Sequence, residues 1–315
     1  MMTPIYTHDS CIAHDPGPGH PERPDRLRAV LRRLRQPDFA QLVWCEAAPA
    51  TRAAVARAHD AAYVDWLLDQ VPESGRIGLD GDTFLSPASG EAALLAAGAV
   101  CQAIDAVMAG KADNAFCAVR PPGHHAEAGH AMGFCLFNNI AIGAHHARAE
   151  HDLARVAMVD FDVHHGNGTQ HMFERDPAFF FASTHQGGIY PGTGARDECG
   201  VGNVVNMPLP AMAGSADFRD AMTSTILPAL AAFAPELVLI SAGFDAHAAD
   251  PLAMLDLQAA DFAWATARIL EVAASPAAGR VVSTLEGGYD LDALADCAAA
   301  HVGALLAAGA SGTTV

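Results

Sequence analysis

Val156-Ala-Met-Val-Asp-Phe-Asp-Val-His-His-Gly166 opens as an apolar run and closes on carboxylates and imidazoles. The apolar half has the length and character of a buried strand. Along an extended chain successive side chains point to opposite faces. Asp160, Asp162 and His164 are therefore expected on one side, reaching for one region. His165, Gly166 and Gly168 follow, and glycine permits the tight turn that must end the strand. Two carboxylates and an imidazole at a strand end are a donor set for a hard-to-borderline metal ion. Burying both aspartates without a counter-charge is costly, which argues for a bound cation over a decorative polar end.

Outward from this strand the chain alternates short apolar runs with amphipathic ones. Strands are predicted at 115–119, 156–161, 179–183, 237–241 and 281–285. Helices are predicted at 24–35, 51–58, 61–68, 86–109, 138–150, 215–233, 257–274 and 291–306. Pro24 suits the first turn of its helix, whose Leu27, Val30, Leu31 and Leu34 share one face. The His-, Pro- and Gly-rich segment 3–24 reads as irregular, and 72–82 and 184–202 as loops. Alternation of this kind gives an α/β fold, a mostly parallel sheet with helices on both faces. With no linker and no repeat, the expectation is one domain over 1–308 and a flexible tail at 309–315.

Composition narrows the function. The 315 residues are 51% hydrophobic, enough for a sizeable core, and no apolar run approaches the roughly 20 residues of a membrane span. Residues 1–9 lack the basic and apolar regions of a signal peptide. A net charge of −18 argues against a nucleic-acid surface and suits a cationic partner or simple solubility. Seven cysteines, scattered without a Cys-x-x-Cys pair, read as thiols in a reducing compartment, and the cytoplasm is expected.

Four predicted strands finish in polar or glycine-rich clusters: His124-His125, Asp160 to His164, Asp245, and Gly287-Gly-Tyr289. Parallel sheets bind ligands at the carboxyl ends of their strands, so all four belong to one edge. Asp162, His164 and Asp245 supply three candidate ligands and leave room for water and substrate, as a catalytic zinc requires. His124 and His125 are candidates to orient and deprotonate water, and Tyr289 to donate its hydroxyl hydrogen to an oxyanion.

Taken together, Arg120-Pro-Pro-Gly-His-His125, Gly133-Phe134-Cys135, Asp160-x-Asp162-x-His164-His165-Gly-Asn-Gly168, Pro191-Gly-Thr-Gly194, Gly243-Phe-Asp245 and Glu286-Gly-Gly-Tyr289 resemble the zinc-dependent histone deacetylase superfamily. That superfamily includes acetylpolyamine amidohydrolases and bacterial histone deacetylase-like amidohydrolases, and shares the arginase-type α/β fold. The resemblance runs from His20-Pro-Glu22 to Tyr289. It implies Zn²⁺ on Asp162, His164 and Asp245, with His124 and His125 as the tandem catalytic histidines and His125 the general base and acid. It implies Tyr289 polarising the amide carbonyl, and Gly133, Phe134 and Tyr190 lining a narrow tunnel. Asp82 matches a rim position that grips substrate, and Arg26 an arginine deep behind the metal. A structural K⁺ would take oxygens from Asp160, Asp162, His164, Ser183 and Thr184, with a second monovalent site near Phe173.

Asn167 stands where one branch of the superfamily has aspartate, which resembles the class II-like branch and leaves His125 without a charged partner. The implied activity is removal of acetyl from acetyl-lysine in peptides or proteins. The alternative is hydrolysis of a small acetylated polyamine, whose selective relatives place a glutamate where Leu252 stands. A catalytically dead binder would have lost a ligand, a histidine or the tyrosine, and all are intact. A two-manganese ureohydrolase would need further aspartate and histidine ligands in its metal loops. A homo-oligomer is compatible with either deacetylase reading.

Overall fold

The computed structural model describes residues 2–311. In chain order it contains β1 (Pro4–Thr7), α1 (Ser10–Ala13), α2 (Pro24–Leu34), β2 (Val43–Glu46), α3 (Arg52–Val55), α4 (Ala61–Asp69), β3 (Ile77–Gly78), β4 (Phe84–Leu85), α5 (Ser89–Met108) and β5 (Asn114–Cys117). Then follow α6 (Asn139–His151), β6 (Val156–Asp160), α7 (Asn167–Phe173), β7 (Phe179–Gln186), β8 (Val204–Leu209), α8 (Ser215–Ala221), α9 (Leu227–Phe233), β9 (Leu237–Ala242), α10 (Ala259–Ala273), β10 (Val281–Leu285) and α11 (Leu291–Ser311).

Eight strands form one sheet in the order β2-β1-β5-β10-β9-β6-β7-β8, and every pairing in it is parallel. β5, β6, β9 and β10 are buried at every position, as strands covered on both faces must be. The predicted face of α2 is the buried one, with Leu27, Val30, Leu31 and Leu34 in the core. Asn138 caps α6 by accepting from Ala141 N (3.0 Å), and Thr51 caps α3 through Ala54 N (3.1 Å).

The structure corrects several expectations. Segment 3–24 is not wholly irregular: Pro4–Thr7 pairs with both β2 and β5, and Pro4 is tolerated as the first residue of a strand. β2 and β8 are edge strands not expected from the sequence, β2 ending on a charged residue and β8 interrupted by Asn206 and Pro208. Pro208 fits within β8 because a sheet edge leaves one row of backbone donors unpaired. β7 runs on to Gln186, into the segment expected to be loop. The helix predicted at 215–233 carries a π turn at Met222–Ile226, just before Pro228, which has no N–H to continue the regular ladder.

α11 continues through Ser311, so the expected flexible tail is helical at its start, and 312–315 lie outside the described residues. α5 and α11 are long and apolar enough to cross a membrane by length and composition, contrary to the reading of the sequence. α5 nevertheless packs on α6 and beside β5, and most of it is buried within the protein.

Candidate active site

The strands that precede the four polar clusters are neighbours: β5, β10, β9 and β6 lie side by side. Their carboxyl ends therefore deliver the clusters to one place. β6 ends at Asp160, and Asp162 and His164 sit in the turn beyond it, so strand alternation is not what aims them. Backbone N–H groups do that. Asp162 Oδ2 accepts from Gly287 N (2.8 Å), Asp162 Oδ1 from His164 N (2.9 Å), and Asp245 Oδ1 from Val163 N (2.8 Å).

His164 Nδ1 then lies 3.2 Å from both Asp162 Oδ1 and Asp245 Oδ2, and one ligand atom from each residue falls within 4.8 Å of the others. A Cβ at Gly243 would stand 2.0 Å from Asp162 Oδ2, and one at Gly287 2.1 Å from Asp245 Oδ2. Only glycine leaves room for this cradle. Burial disfavours charge on His164, but its bonds to the two carboxylates hold its pKa up to about 10. Two buried carboxylates with positive charge drawn between them fit a divalent cation, and the carboxylate–imidazole set fits zinc.

Asp160 does not join this trio. Its Oδ2 meets His124 Nδ1 at 2.9 Å, and its Oδ1 accepts from Asp162 N (3.0 Å). Burial disfavours the His124 cation, yet Asp162 and Asp160 keep that imidazole protonated well above its ordinary range. The neighbouring ring is the opposite case. His125, centred 4.0 Å away, is held well below the ordinary range by burial and by the charges of His124 and His164. Its Nδ1 meets Asn167 Oδ1 at 2.8 Å, the neutral partner expected there. The two adjacent imidazoles are thus pushed in opposite directions by their surroundings. Glu286 fixes their loop by accepting from Gly123 N (2.6 Å) and His124 N (3.2 Å); burial lifts its own pKa to about 7.

A cavity of about 210 Å³ leads to this centre. Gly133, Phe134, Tyr190, Leu252 and Asp82 form its walls, with His125, His164 and Tyr289 deeper in. All the predicted tunnel residues are therefore present. Gly133 adopts φ +55°, and a Cβ there would lie 2.5 Å from His125 Cδ2. Phe134 also has positive φ (69°), unusual for a bulky residue, and is held by Thr83 Oγ1 on its N–H and by the His20 ring. Burial and Asp80 raise the pKa of Asp82 at the rim. A larger open hollow of about 410 Å³ beside Tyr63 and Trp66 lies apart from these residues.

Tyr289 is steadied from two sides. Its N–H donates to Asp250 Oδ2 (2.7 Å), and the Arg26 guanidinium sits 4.8 Å over its ring. Arg26 is fully buried, donating to Gly288 O and Glu286 O (2.5 Å each) and to Glu22 Oε1 (3.0 Å). Glu22 also binds Arg120. Burial works against the Glu22 carboxylate, but Arg120 and His14 hold its pKa well below the ordinary range.

Ser183 lies opposite Asp160 in the β6–β7 register with Thr184 next to it, within β7 and beside the end of β6. Ser183 Oγ meets His185 Nδ1 at 2.9 Å. Near Phe173 the carbonyls of Phe173, Asp176 and Phe179 converge on Asn203 Nδ2, which shares its two N–H groups among them (2.8, 3.0 and 2.9 Å). His165 tethers the 191–194 turn through Thr193 Oγ1 (2.8 Å) and also meets Gln170 Oε1 (2.9 Å).

Reading the sequence alone missed Asp250, Glu286, Glu22 and Asn203 as positioning groups. Glu286 and Glu22 stand inside the quoted motifs without a role assigned to them, and Asp250 stands two residues before Leu252.

Residues 20–305 match the histone deacetylase domain family. The chain is 38% identical to histone deacetylase 14, chloroplastic, of Arabidopsis thaliana, over 96% of this chain and 76% of that protein. It is 38% identical to the histone deacetylase-like amidohydrolase of Pseudomonas aeruginosa, over 91% of this chain and 81% of that one. It is 39% identical to the human polyamine deacetylase HDAC10, over 90% of this chain and 44% of that protein. The solved HDA15 HD domain superposes with a TM-score of 0.89 at 34% identity, covering 99% of this chain and 89% of that one.

Proposed function

The chain belongs to the histone deacetylase family, and on that premise we propose that it is a zinc-dependent amidohydrolase that removes acetyl from acetyl-lysine side chains. The observation that carries the reading is the convergence of Asp162, His164, Asp245, His125 and Tyr289 at the base of one narrow cavity.

Asp162, His164 and Asp245 would hold the zinc. A zinc ion there supplies a Lewis acid and lowers the pKa of water. The tunnel walls take the aliphatic stem of the substrate, and Gly133 and Phe134 bring the acyl group against His125. Because His125 Nδ1 donates to Asn167, its Nε2 is the free acceptor. Burial and the charged His124 keep that nitrogen unprotonated, as a base must be. His125 takes a proton from water as its oxygen attacks the acyl carbon, while the Tyr289 hydroxyl donates to the developing oxyanion. His125 then returns a proton to the amine nitrogen as the C–N bond breaks, giving acetate and free amine. Arg26, behind Tyr289, would face the departing acetate, and Asp160, Ser183 and Thr184 would hold a structural K⁺. The free cysteines accord with a cytoplasmic enzyme.

Leu252, apolar at the mouth, favours acetyl-lysine. The second reading, an acetylpolyamine amidohydrolase, draws support from acidic Asp80 and Asp82 near the rim and from the likeness to a relative named a polyamine deacetylase. The test is kcat/KM of the zinc-loaded enzyme on an acetyl-lysine peptide against N-acetylputrescine and acetylspermidine. A peptide preference of about tenfold, roughly 1.4 kcal/mol in the transition state, supports the first reading. The reverse preference installs the second, and no hydrolysis of any of the three overturns both.

A further inference from the structure

Asp105, on α5, and His146 and His151, on α6, form a compact group away from the active-site cluster. Asp105 Oδ1 lies 2.7 Å from His146 Nε2 and 2.7 Å from His151 Nε2. The five-residue spacing of the histidines puts them on different sides of a straight helix, so they converge only because Asp105 stands between them. Close packing of the two helices sets that position. Gly143 lets α6 approach α5, since a Cβ there would meet Val100 Cγ1 at 2.5 Å and Ile104 Cδ1 at 3.1 Å. Asp105 follows Ile104 directly, and His146 lies one helical turn beyond Gly143.

We propose that Asp105, His146 and His151 bind a divalent transition-metal ion that clamps α5 to α6. One carboxylate oxygen and two imidazole nitrogens suit zinc, cobalt, nickel or copper far better than calcium or magnesium. Zinc bonds of about 2.0–2.1 Å in a tetrahedron set ligand atoms about 3.3 Å apart, so each Asp105–histidine separation has to open by only about 0.6 Å. The Asp105 side chain is half exposed and the imidazoles are 13% and 22% exposed, leaving the open coordination position to water. The two histidines give up their Nε2 protons on binding. This site does not depend on the reading of the active site, because it shares no residue with it.

The experiment compares wild-type protein, loaded with one equivalent of Zn²⁺ and freed of excess, with His151→Ala and Asp105→Asn treated identically. Each is titrated with Zn²⁺ by calorimetry and its bound zinc counted. The wild type is expected to take one equivalent more than either variant, and its thermal midpoint to rise with that added equivalent. The variants are expected to bind that equivalent more than about tenfold more weakly and to keep wild-type turnover, which certifies their fold. Equal stoichiometry and affinity in wild type and variants would overturn the proposal. So would a wild type that takes no further zinc, whatever the variants do.

Discussion

His125 Nδ1 donates to Asn167 Oδ1 at 2.8 Å, and Asn167 Nδ2 in turn donates to Glu127 Oε1 at 2.9 Å. The amide can offer its oxygen to only one of these groups. Glu127 takes the N–H side, so the oxygen faces the imidazole, and the base receives orientation without charge. Asn167→Asp is expected to add that charge and raise the His125 pKa by about one unit or more. A general base must be neutral to act, so the acidic limb of the kcat/KM profile should move to higher pH by the same amount. A limb that stays in place would remove His125 from the role of base.

Tyr289 donates only its hydroxyl to the proposed chemistry, while its ring packs under Arg26. Tyr289→Phe keeps the ring and is expected to lower kcat by about 10²–10³, the usual loss for one oxyanion donor. Zinc content by atomic absorption should stay at the wild-type value. Normal turnover in this variant would assign the oxyanion to another group.

Gly133 carries both a positive φ and the close approach to His125. Gly133→Ala must strain its backbone or displace the imidazole. A loss of about 1–3 kcal/mol in unfolding free energy is expected from the conformation alone. The more telling readout is kcat, which should fall well beyond what that stability change explains. Wild-type kcat would mean the His125 ring has freedom that the packing denies.

Glu22 is a buried carboxylate serving Arg26, Arg120 and His14. Its folded pKa lies well below the ordinary 4.5, so its ionisation contributes stability above that pH and loses it as pH falls through the depressed value. Glu22→Gln leaves two buried guanidinium groups undercompensated and is expected to cost about 3–5 kcal/mol in urea unfolding at neutral pH. The difference from wild type should shrink below pH 4.5, where the unfolded carboxyl binds its proton. A difference independent of pH would deny Glu22 its charge.

Much of this was legible in the chain before folding. The buried strands β5, β6, β9 and β10 announce themselves because burial on both faces favours mostly apolar runs over alternating ones. The edge strands β2 and β8 face no such demand, and β1, only four residues long, lies within the Pro-, His- and Gly-rich start of the chain, so none of the three is marked in the sequence. The grouping of Asp162, His164 and Asp245 is legible in residue type and spacing, but strand alternation is not what aims them. β6 stops at Asp160, and hydrogen bonds from Gly287 and Val163, distant in sequence, orient Asp162 and Asp245. Asp160 was read as a cation ligand, and its bond to His124 could not be seen, because that contact spans 36 residues and two strands. Asn203 was invisible for the same reason: no local pattern marks an amide that gathers three carbonyls from elsewhere.

The last strand of the sequence lies in the middle of the sheet, between β5 and β9. Without β10 the sheet would fall into two half-sheets, β2-β1-β5 and β9-β6-β7-β8, each with an open edge toward the gap. Such edges invite pairing with foreign strands. Directly after the strand that closes the gap come Glu286, Gly287 and Tyr289, which hold the histidine loop, orient Asp162 and line the cavity. The sheet and the cavity at its edge are therefore completed by one segment, ahead of α11, which packs on α10 and α2. A nascent chain halted before this segment would be an aggregation hazard without being a hydrolase.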